Sequence, residues 1–96
     1  MHAVIRSYTG ADAKELFDLL EKRKVEVENI IGNITGFVSY TLIRTSDGGT
    51  SVTVCQDKAG TDVSLKIAAN WIKENAPDLG ASLRSVSEGS VIIQRN

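Results

Sequence analysis

The middle of the sequence predicts a β-hairpin, and this feature constrains the fold more than any other. Residues 36–45 and 50–56 are both rich in β-branched and aromatic side chains, which favour extended strands. Between them stands Ser46-Asp47-Gly48-Gly49, whose glycines can adopt the positive φ that a tight reversal needs. We therefore predict two neighbouring antiparallel strands, with Gly48 or Gly49 at a positive φ.

Helices are predicted on both sides of the hairpin. Asp12 and Glu15 have the spacing of a capping box, and apolar residues at helical intervals follow as far as Ile31. Gly32 or Asn33 would then form a left-handed C-terminal cap. The second helix is predicted to begin at Thr61 or Asp62 and to end before Pro77. Its buried stripe would contain Leu65, Ala68, Ala69, Ile72 and Ala76.

Strands are predicted near both ends of the chain. Residues 2–9 form one, and residues 83–95 form the other, with Gly89 as a bulge and an apolar run from Val91 to Ile93. The order is strand, helix, strand, strand, helix, strand. It predicts a single α+β domain over residues 1–96 with a ferredoxin-like βαββαβ fold, in which two helices pack on one face of a four-stranded antiparallel sheet.

Charge and cysteine content exclude several classes of protein. The 96 residues contain 11 Lys and Arg against 12 Asp and Glu, a net charge of -1, so we expect neither nucleic acid nor a membrane as partner. No stretch approaches the roughly 20 apolar residues that span a bilayer. Cys55 is the single cysteine and the first residues lack a signal-peptide core, so we expect a reducing cytoplasm. No spacing typical of metal ligands is present.

Alternation along the hairpin predicts two different sheet faces. Tyr40 and Leu42 share a face with Val38, whereas Phe37 falls on the other face with Ser39, Thr41 and Ile43. In the next strand Val52 and Val54 form an aliphatic face suited to lie under the helices. The opposite face would be small and uncharged, with Ser39, Thr41, Ser51 and Thr53. Because a solvated sheet normally carries Lys, Glu or Arg, we predict a homodimer in which a second copy covers this face.

The chain resembles a known superfamily in several places. These are the element order, the Gly36-Phe37-Val38-Ser39-Tyr40 start of the second strand, the Asp47-Gly48-Gly49 hairpin, and Trp71 in the second helix. Together they resemble the dimeric α/β-barrel superfamily that includes antibiotic-biosynthesis monooxygenase-like proteins. The resemblance implies a homodimer whose two sheets form a barrel, with a pocket between each sheet and its own helices.

Members of this superfamily differ in activity. Some oxidise polyphenolic substrates without a cofactor, some degrade haem, and others have no known activity. The single histidine here is His2 and none follows Trp71, so the chain departs from the haem-degrading pattern. We expect no haem, no other cofactor and no metal.

The resemblance also implies a tryptophan and an asparagine near the substrate, which are Trp71 and Asn70 here. The alternative is that Trp71 is a core side chain at the edge of the helical stripe. Helical neighbours point about 100° apart, so the two residues do not easily face one small pocket.

Polar tips on the sheet are the other candidates. The phenols of Tyr8 and Tyr40 could orient an aromatic ligand, and Arg6 or Arg44 could hold a carboxylate or phenolate. The alternative for the tyrosines is cross-strand packing, and for Arg44 exposure beside the turn. His2 and Cys55 do not suit a base and nucleophile, because a strand cysteine is usually a buried apolar residue.

Two functional classes follow from these observations. One is a small-molecule enzyme or binder that uses the pocket between sheet and helices, with cofactor-independent monooxygenase-like activity on a small aromatic ligand. The other is a non-catalytic dimeric structural or interaction module. A pocket large enough for a ring, with tyrosine or asparagine tips facing it, would favour the first class.

Overall fold

The computed structural model describes residues 1–10, 12–79 and 82–95. These residues form β1 (His2–Thr9), α1 (Ala13–Lys22), α2 (Lys24–Gly32), β2 (Phe37–Thr45), β3 (Gly48–Cys55), α3 (Lys58–Asn75) and β4 (Ser82–Ser90). The strands pair antiparallel in the order β2-β3-β1-β4, and the core lies between one sheet face and the helices. The ferredoxin-like arrangement is confirmed. No helix in the described ranges is long and apolar enough to cross a bilayer.

The first predicted helix is in fact two helices. The chain leaves helical geometry at Arg23, with φ -110° and ψ 30°, so the prediction of one helix to Ile31 is wrong. Arg23 donates to Asn75 Oδ1 of α3 at 2.6 Å, which helps to direct α2 towards α3. The predicted capping box is also wrong, because the Asp12 side chain makes no capping hydrogen bond. Asn33 follows α2 with φ -87°, and the positive φ comes later, at Gly36 (φ +83°).

Helix α3 begins earlier than predicted. Asp57, in an extended conformation, caps it by accepting a hydrogen bond from the Gly60 amide at 3.3 Å. Thr61 and Asp62 therefore lie inside the helix. Of the predicted buried stripe, Ala69 is exposed.

The hairpin is confirmed, with its turn at residues 46–47 and both glycines in β3. Gly48 has the predicted positive φ, +151°, whereas Gly49 does not. Gly49 is required for another reason, because a Cβ there would lie 2.0 Å from Phe17 Cε2.

The end of the chain differs from the prediction. Strand β4 stops at Ser90, so residues 91–93 are outside it, and Ile92 and Ile93 are exposed. The irregularity in this strand pair lies opposite Ser7 and Tyr8, not at Gly89. Beyond β4 the chain returns to the opposite edge of the sheet, where Gln94 Nε2 donates to Ser39 Oγ at 3.4 Å. Ser39 lies on the sheet face that is turned away from the helices, which we call the outer face.

The sheet faces are assigned differently from the sequence-based prediction. A register shift between Phe37 and Ser39 leaves Val38 as an extra residue, so Phe37 joins Tyr40 and Leu42 on the helix side. In β3 the helix side carries Ser51, Thr53 and Cys55, which are fully buried. Val52 and Val54 pair with outer-face residues, and the prediction that they lie under the helices is wrong. The small side chains of β3 thus lie beneath the helices. The large side chains of the same core layer come from β1, β2 and α3.

Candidate functional site

A cavity lies between the helix side of the sheet and the helices. Its volume is about 30 Å³, which is room for one or two water molecules. Apolar side chains make up most of its wall. The lining residues are Arg6, Tyr8, Leu20, Val27, Ile30, Ile31, Tyr40, Leu42, Ser51, Ala68, Trp71 and Ile72. Four of them, Arg6, Tyr8, Tyr40 and Ser51, bring polar atoms to the cavity, and we call these four residues the polar floor.

Strand pairing positions the polar floor. Arg6 and Tyr8 are two apart in β1 and so point to the same side of the sheet. Arg6 of β1 pairs with Ser51 of β3. Ser51 in turn pairs with Leu42 of β2, and Tyr40, two residues before Leu42, points to the same side of the sheet. The floor therefore spans the three adjacent strands β1, β3 and β2.

Arg6 is the charged member of the polar floor and is only 4% exposed. Its Nη1 donates to the Tyr8 hydroxyl at 3.1 Å, and its guanidinium lies 6.0 Å from the Tyr8 ring centre. Neither Arg6 Nε nor Ser51 Oγ has a hydrogen-bond partner, although both atoms are buried. Buried polar atoms without partners are uncommon and are destabilising by about 1–3 kcal/mol each.

The Tyr40 hydroxyl can donate a hydrogen bond in this site. Burial raises the pKa of its phenol, and the charge of Arg6 and a hydrogen bond with it offset part of that rise. The hydroxyl therefore stays protonated at neutral pH. It can donate a hydrogen bond to an acceptor in the cavity.

Trp71 lines the cavity with its ring and is 7% exposed. Its indole N–H points the other way and donates to Glu26 Oε2 at 2.6 Å. That hydrogen bond, followed by one from Arg23, lowers the pKa of the Glu26 carboxyl. Arg23 also stacks over the ring at 5.3 Å from its centre. The tryptophan is thus both a wall of the cavity and a link between α2 and α3.

The structure brings three of the four predicted ligand-pocket residues together and leaves one outside. Tyr8, Tyr40 and Trp71 line the cavity, whereas Asn70 is exposed on α3. Placing Asn70 in the pocket was wrong, because the turn of the helix points it away when Trp71 faces inward. Arg44 is also outside, held by Asp18 at 3.0 Å and Glu21 at 3.2 Å.

His2 and Cys55 pair across strands but do not form a catalytic unit. His2 Nδ1 is 2.9 Å from Thr61 Oγ1, and its Nε2 is 3.5 Å from Glu88 Oε1. Burial raises the pKa of the Cys55 thiol, and the charge of Asp57 raises it further. The thiol is therefore protonated and a poor nucleophile. Among the residues described, no three His, Cys, Asp or Glu side chains cluster as metal ligands would.

A larger outer pocket opens beside the cavity, between the first two helices and β2. Its volume is about 250 Å³, and its rim carries Glu21, Lys24 and Glu28. It shares Leu20, Val27, Tyr40 and Leu42 with the cavity lining, so these side chains form the wall between the two spaces.

Ser51 was not predicted as a site residue, because it was expected on the uncovered face of the sheet. The aliphatic side chains of Val52 and Val54 favoured the opposite face of β3 as the helix side, whereas Ser51 pairs with Leu42 and Arg6, which face the helices. The sequence signal for the site was in β1, where Arg6 and Tyr8 are two residues apart and therefore share one face of the strand.

No protein-family model and no curated protein matches the sequence. Solved structures do match its fold. HapK from Hahella chejuensis superposes with a TM-score of 0.71 at 15% identity, over 100% of this chain and 97% of that one. The heme-degrader MhuD from Mycobacterium tuberculosis, with two hemes bound in its active site, gives 0.69 at 17% identity, over 100% of both chains.

A third match is a monooxygenase from the gene ActVA-Orf6 of Streptomyces coelicolor, in complex with the ligand nanaomycin D. It gives a TM-score of 0.54 at 17% identity, over 97% of this chain and 91% of that one. The chain has the antibiotic-biosynthesis monooxygenase-like fold. Proteins with this fold thus include a monooxygenase and a heme-degrader, and also a Nitrosomonas europaea protein of unknown function.

The residues that line the cavity do not fit haem. Neither a histidine nor a cysteine is among the residues that line the cavity. These two side chains are the commonest axial ligands of haem iron. The cavity volume of about 30 Å³ is also far too small for a macrocycle.

Proposed function

We propose that the protein binds a small aromatic molecule between the sheet and the helices, as a small-molecule binder or a cofactor-independent monooxygenase-like enzyme. The observation that carries this proposal is an apolar, aromatic-walled cavity with unpaired polar atoms in its floor. Ser51 Oγ and Arg6 Nε are both buried in this floor without a partner, although buried polar atoms usually have one. The polar group of a ligand would provide that partner.

The size of the ligand follows from the two neighbouring spaces. The cavity accepts a polar group, and the outer pocket of about 250 Å³ accepts a ring. The two volumes together fall just below the roughly 300 Å³ at which ligand pockets begin. We therefore expect a small ligand, of one or two rings. Entry from the outer pocket requires the side chains that line both spaces, Leu20, Val27, Tyr40 and Leu42, to move.

The cavity lining also limits the chemistry. It contains no carboxylate, imidazole or thiol, and hence none of the usual general bases. A substrate oxidised here would have to supply its own reactivity towards oxygen, as electron-rich polyphenols do. This supports cofactor-independent oxygenation over reactions that require proton abstraction by a side chain.

Fluorescence of Trp71, the single tryptophan, tests the proposal. We expect phenols or quinones of one or two rings to quench it saturably. In the Ala68→Leu variant, which fills the cavity, quenching should be lost, whereas the Ala69→Leu control on the exposed side of α3 should bind normally. An oxygen electrode then separates an enzyme from a binder. No quenching at sub-millimolar concentration would contradict ligand binding and favour the non-catalytic module.

We also propose that a second copy of the chain covers the outer face. Strand register places the following residues there, and none of them is charged: Ala3, Ile5, Ser7, Ser39, Thr41, Ile43, Thr50, Val52, Val54, Ser85, Ser87 and Gly89. Ile5 and Ile43 are 40% and 45% exposed. The face is therefore more apolar than the sequence predicted, because Val52 and Val54 belong to it.

Light scattering at micromolar concentration tests this dimer. We expect twice the chain mass of 10.4 kDa. Ile5→Glu should produce monomers by placing a charge in the interface, whereas Val25→Glu, at an exposed position on α2, should not. A wild-type protein that scatters as a monomer would contradict the proposal.

A further inference from the structure

We propose that the ligand carries an ionised oxygen acid, a carboxylate or a phenolate, and that Arg6 binds it. This inference rests on the proposed function and specifies the chemical class of the ligand. It depends on one property of the polar floor, the unbalanced positive charge of Arg6.

Arg6 differs from the other arginines whose contacts are described. Arg23 and Arg44 are partly exposed, and each forms an ion pair with a carboxylate, at 2.5 Å to Glu26 and at 3.0 Å to Asp18. Arg6 is buried, yet no carboxylate of the described residues forms an ion pair with it. Water compensates the charges that are exposed, whereas a buried charge needs a partner. Of these three arginines, the buried one, which most needs a counterion, has none among the described residues.

Water inside the cavity does not remove this imbalance. One or two water molecules fit the volume and could bond to Arg6 Nε and Ser51 Oγ. They would satisfy hydrogen bonds but would not neutralise the guanidinium. An anion would do both.

The available donors match an oxygen acid. A guanidinium presents its N–H groups as a planar fork that suits two oxygens. Arg6 uses Nη1 for the Tyr8 hydroxyl and keeps Nε–H unpaired. Ser51 Oγ and the protonated hydroxyl of Tyr40 lie in the same lining and supply further donors. A carboxylate or phenolate attached to a ring would reach these groups while its ring remained against the apolar wall.

The mouth of the outer pocket permits an anion to enter. Glu21 at the rim is paired with Arg44 at 3.2 Å. Lys24 stands on the same rim, four residues before Glu28. The rim thus carries charges of both signs rather than a continuous negative surface.

Two probes of equal ring structure test the inference. These are 4-nitrobenzoate and 4-nitrobenzyl alcohol, titrated into the full chain by calorimetry with Trp71 quenching as a second readout. We expect the carboxylate to bind at least about tenfold more tightly, as a charge-assisted hydrogen bond predicts. In Arg6→Met this preference should disappear, and in Arg6→Lys it should shrink. In the Lys66→Met control, at an exposed position on α3, it should be unchanged.

A third probe, 4-nitrophenol, separates phenolate from carboxylate recognition, because the absorbance of its phenolate reports ionisation directly. Binding near Arg6 should lower the apparent pKa of the phenol, and Arg6→Met should abolish that shift. Selectivity for 4-nitrobenzoate without a shift in the phenol would assign the site to carboxylates. A shift without that selectivity would assign it to phenolates.

The outcomes distinguish this inference from the proposed function. If the acid and the alcohol bind equally and Arg6→Met changes neither, ligand binding stands and the anion inference is overturned. If no probe binds, both are overturned.

Discussion

Replacing Gly49 with alanine should destabilise the protein strongly. The added Cβ would lie 2.0 Å from Phe17 Cε2 and 2.2 Å from Cζ, far inside an ordinary carbon contact of about 3.5–4.0 Å. Phe17 has little freedom to withdraw, because it is 2% exposed and packs edge-on against Tyr8 with ring centres 6.1 Å apart. We therefore expect a loss of about 3 kcal/mol in the free energy of unfolding, the upper end for overpacking. The midpoint of thermal unfolding should fall by roughly 12–24 °C.

Thermal and urea unfolding of three variants check this reasoning. Gly32→Ala adds the same methyl group where nothing lies within 4 Å, and it should stabilise by about 0.5–1 kcal/mol because alanine favours the helix. Phe17→Leu should make Gly49→Ala less costly, since the smaller side chain leaves room. A Gly49→Ala protein within about 0.5 kcal/mol of wild type, or an equal loss in the Phe17→Leu background, would refute the steric explanation.

Two further predictions concern the contacts of Trp71. Trp71→Ala should lower the free energy of unfolding by about 3–5 kcal/mol. Trp71→Phe should lower it by only about 1–2 kcal/mol, because it keeps most of the ring and loses the hydrogen bond to Glu26. Equal losses for the two variants in urea unfolding would contradict this prediction. Folding lowers the pKa of Glu26 from 4.5, so its stabilising contribution is complete above pH 4.5 and is lost as pH falls through the folded value. The stability difference between wild type and Glu26→Gln should therefore be constant near neutrality and should narrow in acid; a difference that persists into the acid-unfolding region would contradict the linkage.

The element order was predictable because hydrophobic periodicity and glycine-rich turns are local signals. The hairpin around residues 46–47 and the positive φ of Gly48 both follow from neighbouring residues. The start of α3 was misplaced because Asp57, Thr61 and Asp62 all have suitable capping side chains, and only contact with β3 selects among them. Helix α3 approaches β3 closely at Gly60, where a Cβ would lie 2.7 Å from Cys55 Cβ.

The site was less predictable than the fold, because it depends on which strand faces meet. Tyr8, Tyr40 and Trp71 were predicted as pocket candidates because they are aromatic residues with a polar group on regular elements, and all three line the cavity. Ser51 was assigned to the wrong face, because the aliphatic Val52 and Val54 were expected under the helices. Instead Ser51 pairs with Leu42 and Arg6, which face the helices. The break at Arg23 also depends on distant residues, since Asn75 lies 52 positions further along the chain.

The wall of Leu20, Val27, Tyr40 and Leu42 between the cavity and the outer pocket has a kinetic consequence. A ligand that reaches Arg6 must wait for these side chains to move, so association includes a unimolecular opening step. The observed rate of binding should then rise with ligand concentration and level off at the opening rate. The same wall closes behind a bound molecule, which favours long residence times even for a ligand of modest affinity.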